Sequence, residues 1–298
     1  MDMAMRNDDL ANQYFIKYSS LDYLKEKLKE LKNLDFSKST AEQISTTFSS
    51  YIEVIPSLFG NYSTEKFNNF SFYRVRLNVK ENEDLQLLRT FSYPLPQFCT
   101  ENGRANLKNK SVFYSTNCAL TAIMESKPKV GDIGYLSVWE GCTTRVMKAV
   151  ILLPEDLKRE NIWSATANDI YTLTKKNSNE KTQEILKFIS QLFLYEESPY
   201  CLTSFISNEL MYGENWNDFV VYPSFVNDGF SCNLAIHPNV VDNFLRFKKV
   251  IRFKVLKISN GEFSVSTGRV GEISNTNINW RSGTKEERDF SLFPLAKI

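Results

Sequence analysis

Four residues of this 298-residue chain combine a ligand-binding or reactive side chain with a local pattern that could place it in a cleft: Arg74, Arg104, Glu125 and Ser224. Arginine is planar and permanently charged, and it binds phosphate or carboxylate groups through paired hydrogen bonds. A carboxylate at the end of an otherwise apolar helix is less ordinary than a surface glutamate, and a serine at the end of a strand can direct its hydroxyl into a cleft. Each residue also has an ordinary structural explanation, and only their joint occurrence favours a functional site.

Arg74 and Arg76 lie two positions apart in residues 72–77, a segment of aromatic and β-branched type. This composition predicts a β-strand, which would place both arginines on one face, opposite Val75. On an exposed face such a pair is common and needs no function. On a face that lines a cleft it would hold a phosphate group, and the pattern leaves open which of the two arginines does so.

Arg104 belongs to a Gly-Arg-Ala-Asn segment, residues 103–106, that is predicted to be a loop. A Gly-Arg turn can present a guanidinium to a phosphate, although this dipeptide is common in proteins. A strand predicted at residues 111–115 follows the loop. Residues 112–114 read Val-Phe-Tyr, and Tyr114 is the polar aromatic residue of that strand.

Glu125 ends a compact helix predicted over residues 118–125, whose other members are mostly small or apolar. Ser224 follows Pro223 at the end of a strongly apolar strand predicted from Phe219. The ordinary interpretations are an exposed residue at a helix end and a turn serine. The functional interpretation is that both side chains reach the same cleft.

His237 is the only histidine, at the predicted end of a strand. Ser–His–Asp chemistry would therefore depend on this one residue, and a zinc site with two or three histidines is excluded within one chain. The five cysteines are odd in number and contain no Cys-x-x-Cys pair, which predicts reduced thiols. We expect no metal site.

The bulk composition favours a folded cytoplasmic protein. Hydrophobic residues make up 42% of the chain, which is enough for a core, and the net charge of +1 argues against a nucleic-acid partner. No apolar run approaches the roughly 20 residues that span a bilayer, so no membrane segment is expected. The polar first 14 residues do not resemble a signal peptide. The oligomeric state stays open.

The pattern of elements predicts an α+β fold with a mixed or antiparallel sheet and helices inserted between strands. Residues 1–66 are predicted as an N-terminal helical extension, with Leu21, Leu24, Leu28 and Leu31 at helical spacing. A further helix start is predicted at residues 40–43, with a cap at Ser39 or Thr40. Residues 67–258 form the predicted main domain, with a helical insertion at about 155–196. Residues 259–298 read as a poorly specified tail.

The remaining strands are expected at residues 135–139, 144–153, 219–224, 232–236 and 250–258, the last of which is predicted to close the sheet. A further helix is predicted at residues 203–211. Strict alternation of strands and helices is absent, as are the glycine-rich motifs of dinucleotide-binding and phosphate-loop domains. Those two fold classes are therefore not expected.

Taken in order, residues 70–256 resemble the RES domain, a family named for its Arg, Glu and Ser positions and known as NAD-consuming bacterial toxins with an ADP-ribosyltransferase-like fold. The similar pieces are an aromatic-Arg strand at residues 72–75, the Gly-Arg loop at 103–106, a Tyr-containing strand and Ala-x-x-Glu helix at 112–125, and a strand ending in Ser followed by an Asn-led strand and Pro at 221–238. Ala105 departs from the aromatic residue that the family usually has, and residues 131–200 are longer than expected.

The resemblance implies that NAD⁺ is the substrate, with no separate cofactor. It implies that Glu125 stabilises the oxocarbenium-like ribose cation, that Ser224 orients Glu125 or binds a ribose hydroxyl, and that Tyr114 stacks on nicotinamide. Arg74 and Arg104 would hold the phosphates. The expected catalytic set is Glu125, Arg74 and Ser224, and the expected NAD-binding set is Arg104, Tyr114, Arg76, Tyr73 and Asn233.

Three outcomes fit this chemistry: hydrolysis by water, phosphorolysis by phosphate, or transfer of ADP-ribose to a protein. NAD⁺ degradation is favoured because the resemblance is to toxins that deplete NAD⁺. A different alternative is an inactive binding module. The resemblance also implies a cognate antitoxin, for which residues 8–55 and 155–196 are candidate docking surfaces.

Overall fold

The computed structural model describes residues 18–56, 59–154, 157, 163–177, 180–213, 216–224, 226, 231–259, 262–274 and 276–288. Over these ranges the chain is a mixed α+β fold in which one ten-stranded sheet carries nine α-helices. The α+β prediction is therefore confirmed. The part of the predicted N-terminal helical region that precedes Tyr18 lies outside the described residues.

The helices are α1 (Leu21–Asn33), α2 (Ala41–Tyr51), α3 (Thr64–Asn68), α4 (Ala119–Glu125), α5 (Ser164–Asn177), α6 (Glu180–Tyr195), α7 (Cys201–Tyr212), α8 (Pro238–Phe244) and α9 (Lys285–Arg288). The strands are β1 (Phe59–Tyr62), β2 (Ser71–Leu77), β3 (Phe113–Thr116), β4 (Ile133–Gly141), β5 (Met147–Ile151), β6 (Phe219–Pro223), β7 (Cys232–Ile236), β8 (Leu245–Ser259), β9 (Glu262–Ser274) and β10 (Asn277–Ser282).

The strands are arranged in the order β1-β5-β6-β7-β3-β2-β4-β8-β9-β10. β5 and β6 are parallel, and every other neighbouring pair is antiparallel. Because side chains alternate along a strand, each central strand contributes to a core on both faces of the sheet. Ile151 and Val221 belong to one core cluster, and their neighbours Val150 and Val220 belong to another.

The centre of the sheet contains an incomplete strand pairing. β2 pairs with β4 along its whole length, from Ser71 with Glu140 to Leu77 with Gly134. The register of β2 with β3 contains only one pair, Tyr73 with Thr116. A gap in the ladder on either side of that pair leaves backbone groups that need other partners.

Helices α1, α2, α6 and α7 cover one face of the sheet beside β6 and β7. The helical spacing predicted for α1 is confirmed, since Leu24, Leu28 and Leu31 are buried. α2 begins at the predicted position, where Thr40 and Gln43 form a reciprocal capping box. On the same face, α4 packs separately on Tyr73 and on apolar residues of β4 and β8.

α5 and α6 occupy most of the segment predicted as a helical insertion, residues 155–196. α6 is not an appendage to the core. Its residues Ile185, Ile189, Leu192 and Phe193 are buried in the same cluster as Val220 of β6. The insertion is therefore part of the hydrophobic core on this face of the sheet.

The prediction that residues 250–258 close the sheet was wrong, and so was the description of the following segment as a poorly specified tail, as far as its described residues 262–274 and 276–288 are concerned. Residues 289–298 of the predicted tail lie outside the described residues. β8 pairs with β9 and β9 with β10, so the hairpins extend the sheet by two strands. The predicted boundary at 258 falls inside β8. The sequence of β9 and β10 is polar, as in a loop, because most side chains of these outer strands are not buried. Val270 and Ile278 are two of the few that are buried.

We predict that Ile278→Ala lowers the free energy of unfolding by about 3 kcal/mol, because it removes a fully buried branched side chain from the central core. Its register partner Ile273 is 42% exposed and provides the matched control. In urea denaturation, Ile273→Ala should lower the free energy of unfolding by less than about 1 kcal/mol. Equal losses in the two variants would mean that β10 does not contribute to the core.

Candidate functional site

A pocket of about 390 Å³ lies between the end of α4, the end of α6 and the gap between β2 and β3. Of the residues expected to act on a ligand, six line this pocket: Tyr73, Arg74, Arg104, Tyr114, Glu125 and Asn233. Ser224 is fully buried directly beneath it and bonds to Glu125. The fold therefore brings together residues that are as far as 160 positions apart in the chain.

The carboxylate of Glu125 is held from two strands. Its Oε1 accepts hydrogen bonds from Ser224 Oγ at 2.7 Å and from Asn233 Nδ2 at 2.6 Å. Such short bonds to a charged acceptor are among the stronger ones in proteins. Within the described part of the chain, Oε2 has no hydrogen-bond partner, and this oxygen is the one left to meet a ligand.

A further set of bonds ties these elements together beneath Glu125. The Ser224 amide donates to Ser231 O at 3.1 Å, and Ser231 Oγ donates to Thr121 Oγ1 of α4 at 2.7 Å. The Cys232 amide donates to Asn117 Oδ1 at 3.1 Å. The ends of β6 and β7 are therefore attached to both ends of the α4 segment, which limits the movement of the carboxylate.

The Arg74 side chain fills the gap between β2 and β3. Its Nη1 donates to the carbonyl of Tyr114 at 3.2 Å, which takes the place of a missing strand partner, and its Nε donates to Ser92 O at 3.1 Å. Burial, and secondly the nearby charge of Arg76, lower the pKa of Arg74 to about 10. The group remains a cation at neutral pH, and an anion in the pocket would offset the cost of burying it.

Arg76 does not line the pocket, which separates it from Arg74. Its Nη1 forms an ion pair with Glu83 at 2.8 Å and donates to Thr90 O at 2.7 Å. Both arginines hold the segment that contains the 3₁₀ helix Leu88–Phe91, but only Arg74 faces the cavity. The expected binding role of Arg76 is therefore not matched by its position.

Arg104 lies at the opposite wall. Its Nη1 donates to the Phe193 carbonyl near the end of α6 at 2.8 Å, and its guanidinium lies 4.7 Å from the centre of the Tyr200 ring. Arginine stacks on aromatic faces in this way while keeping other donors available. The predicted helical insertion thus supplies part of the pocket that contains Glu125.

Four residues that line the pocket were not predicted from the sequence: Lys127, Phe193, Tyr200 and Tyr222. Lys127 is two positions after Glu125, exposed and at φ 51°, so proximity to Glu125 was a usable signal. Tyr222 belongs to β6 and is two positions before Ser224, which directly follows that strand, so proximity to Ser224 was also a usable signal. Nothing local distinguishes Phe193 or Tyr200 from ordinary core residues.

His237 is not part of this site. It is the N-cap of α8, where Nδ1 accepts a hydrogen bond from the Asn239 amide at 3.1 Å, and its ring packs against those of Tyr212 and Trp216. Burial lowers the pKa of His237, an effect that Asp218 partly opposes. The neutral imidazole is the form that can accept this capping bond.

Comparisons with known proteins identify no relative: a scan against protein families, a search of curated proteins and a search of solved structures each returned no match. Among the helices of the described ranges, none has both the length and the apolar character that a bilayer crossing requires. The same ranges contain no cluster of three or more His, Cys, Asp or Glu side chains placed to share a metal ion. All five cysteines are free thiols.

We predict that the protein loses stability as pH falls from 7.5 to 5.5, partly through His237. The unfolded chain takes up a proton near pH 6.5, whereas the folded imidazole resists it, so the loss begins at about that pH. Asparagine is also a good N-cap, so His237→Asn should keep α8. Over the same pH range its free energy of unfolding, measured by urea denaturation, should fall less than that of the wild type. An identical pH dependence in both proteins would contradict this account.

Proposed function

We propose that the chain cleaves the nicotinamide–ribose bond of NAD⁺. The observation that carries the proposal is the arrangement of Glu125, whose Oε1 is fixed by Ser224 and Asn233 while the rest of the carboxylate faces a pocket with three cationic side chains. The resemblance to the RES domain supports the same substrate. We also propose that the chain is a member of that family and that its sheet has the ADP-ribosyltransferase-like fold.

The charges of the pocket match a ligand of this kind. Arg74, Arg104 and Lys127 are the cations among its lining residues, and Glu125 is the acid. The pyrophosphate of NAD⁺ carries two negative charges, which arginine binds well. Aromatic rings of Tyr114, Tyr200, Phe193 and Tyr222 offer surfaces on which the flat nicotinamide and adenine rings could stack.

The proposed reaction breaks the bond between ribose C1′ and the nicotinamide nitrogen. The bonding electrons leave with nicotinamide, which becomes neutral, and the ribose acquires oxocarbenium character. The carboxylate of Glu125 stabilises that charge, or accepts a hydrogen bond from a ribose hydroxyl. A water molecule then adds to C1′ and releases a proton, which gives ADP-ribose.

The acceptor is identified by the products. Hydrolysis gives free ADP-ribose. Phosphorolysis gives ADP-ribose with a phosphate on C1′ of the ribose that carried nicotinamide, and a protein acceptor leaves ADP-ribose attached to that protein. We favour a small acceptor, water or phosphate, as the resemblance implies. Incubation with NAD⁺ labelled in the adenylate part, with and without inorganic phosphate, is followed by separation of protein-bound from free label. Anion-exchange chromatography of the free label then separates ADP-ribose from its phosphorylated form, so the three outcomes are distinguished.

We predict that Glu125→Gln retains the fold and loses at least about a hundredfold in the rate of nicotinamide release, because the amide cannot stabilise a developing cation. Glu209→Gln is the matched control, since Glu209 is exposed on α7 and does not line the pocket. The control should keep wild-type turnover. Near-normal turnover in Glu125→Gln would remove Glu125 from the mechanism, and no nicotinamide release by the wild-type protein would reject the proposed function.

The proposed activity would harm the cell that produces it, so we also propose a cognate antitoxin that covers the pocket. An acidic segment among Arg74, Arg104 and Lys127 would replace the charges of the pyrophosphate. The exposed surfaces of α1 and α5 remain candidate docking surfaces, whereas the end of α6 is already part of the pocket wall.

We predict that expression in bacteria lowers cellular NAD⁺ and arrests growth, and that the product of a neighbouring gene reverses both effects. The measurement is NAD⁺ content and growth with and without co-expression, together with a pull-down of the pair. Toxicity that no neighbouring gene relieves would contradict the antitoxin proposal while leaving the enzymatic one intact.

A further inference from the structure

The hydroxyl group of Tyr114 is fully engaged within the protein. It donates to Asn106 Oδ1 at 2.8 Å and accepts the Ala105 amide, also at 2.8 Å. Burial raises the pKa of Tyr114, so the hydroxyl stays protonated at neutral pH. The ring lines the pocket, but its polar end points into the Gly-Arg-Ala-Asn loop.

That loop is a two-residue turn closed at its base. Gly103 N donates to Asn106 O at 2.9 Å and Asn106 N donates to Gly103 O at 3.3 Å, which leaves Arg104 and Ala105 at the tip. A Cβ atom at position 103 would lie 2.4 Å from Asn106 Oδ1 and 2.6 Å from the Tyr114 hydroxyl. Only glycine permits this close approach, so the turn is shaped around the Tyr114 hydroxyl.

The Arg104 side chain is fixed independently by its bond to the Phe193 carbonyl. Its backbone is therefore positioned from β3, through Tyr114, and its guanidinium from α6. Loss of the hydroxyl would leave Asn106 Oδ1 and the Ala105 amide without a buried partner. The turn would then relax and the Arg104 backbone would shift, so the guanidinium, attached through the Phe193 carbonyl, would lose the orientation that the two attachments together give it.

We propose that Tyr114 is a positioning residue whose hydroxyl holds the Arg104 turn, so that the guanidinium binds the pyrophosphate of the substrate. This inference rests on the proposed function and goes beyond a ring-stacking role for Tyr114. It assigns to Tyr114 an effect on substrate affinity rather than on the chemical step.

The test uses the full chain and compares Tyr114→Phe with Tyr212→Phe. Tyr212 also donates one buried hydrogen bond, to Ser111 O at 2.7 Å, but does not line the pocket. Tyr114→Phe should weaken ADP-ribose binding, measured by calorimetry, and raise KM for NAD⁺, each by about tenfold or more. Its kcat should change by less than about threefold, and Tyr212→Phe should match the wild type in all three quantities.

The decisive measurement adds Tyr114→Phe to the Arg104→Ala variant. The double variant should bind ADP-ribose as well as Arg104→Ala alone does. Additive losses, a fall in kcat at constant KM, or unchanged affinity in Tyr114→Phe would each overturn the positioning role. Because ADP-ribose binding does not require turnover, wild-type binding without nicotinamide release would reject the catalytic proposal and still allow this one to be judged. A wild-type protein that does not bind ADP-ribose would overturn it.

Discussion

The two hydrogen bonds to Oε1 of Glu125 are the interaction on which the site depends. Ser224 and Asn233 come from the ends of neighbouring strands, β6 and β7, and Glu125 from the end of α4. A carboxylate with three freely rotating side-chain bonds would otherwise sample several rotamers. Fixed from two directions, it presents one oxygen to the pocket, which is the preorganisation that charge stabilisation requires.

The gap between β2 and β3 is the second constraint. A continuous ladder would fill the place where the pocket opens, whereas a single register pair leaves room for a ligand beside Arg74. The guanidinium compensates for the lost strand bonds by binding the Tyr114 carbonyl. Burying this cation is unfavourable, as its lowered pKa indicates, and the two carbonyl partners offset part of that cost.

The helical insertion gives the pocket its third wall. α6 is held by apolar contacts with β6, so the Phe193 carbonyl is a fixed acceptor for Arg104. The same core therefore stabilises the fold and positions a charged residue of the site. A site built only from exposed loops would have less control over the distance between its cations and its carboxylate.

Local patterns predicted much of this arrangement. The apolar helix ending at Glu125, the strand predicted at residues 219–224 and the helix start at residues 40–43 depend on residues close in sequence. All three elements are present, with the strand ending at Pro223 and Thr40 as the N-cap. The choice between Arg74 and Arg76 could not be made locally, because it depends on Glu83 and Thr90 binding one of them.

Long-range contacts account for the features that the sequence analysis missed. Phe193 reaches the site through the packing of α6, and Tyr200 lies against Arg104. β9 forms by pairing with β8, and β10 by pairing with β9. Phe193 and Tyr200 have no signal within their own segments. Residues 263–267 and 277–280 do alternate between apolar and polar side chains, a strand signal that the polar composition around them outweighed. The polar composition of the last 40 residues was therefore misleading as evidence for a tail.

The most direct test of the central claim is a double-mutant cycle on Glu125 and Ser224, read as the rate of nicotinamide release from NAD⁺ by the purified chain. If Ser224 acts by orienting the carboxylate, Ser224→Ala alone slows the reaction by about tenfold or more, and adding it to Glu125→Gln causes little further loss. Losses that multiply fully in the double variant would show that the two side chains act independently and would contradict the account.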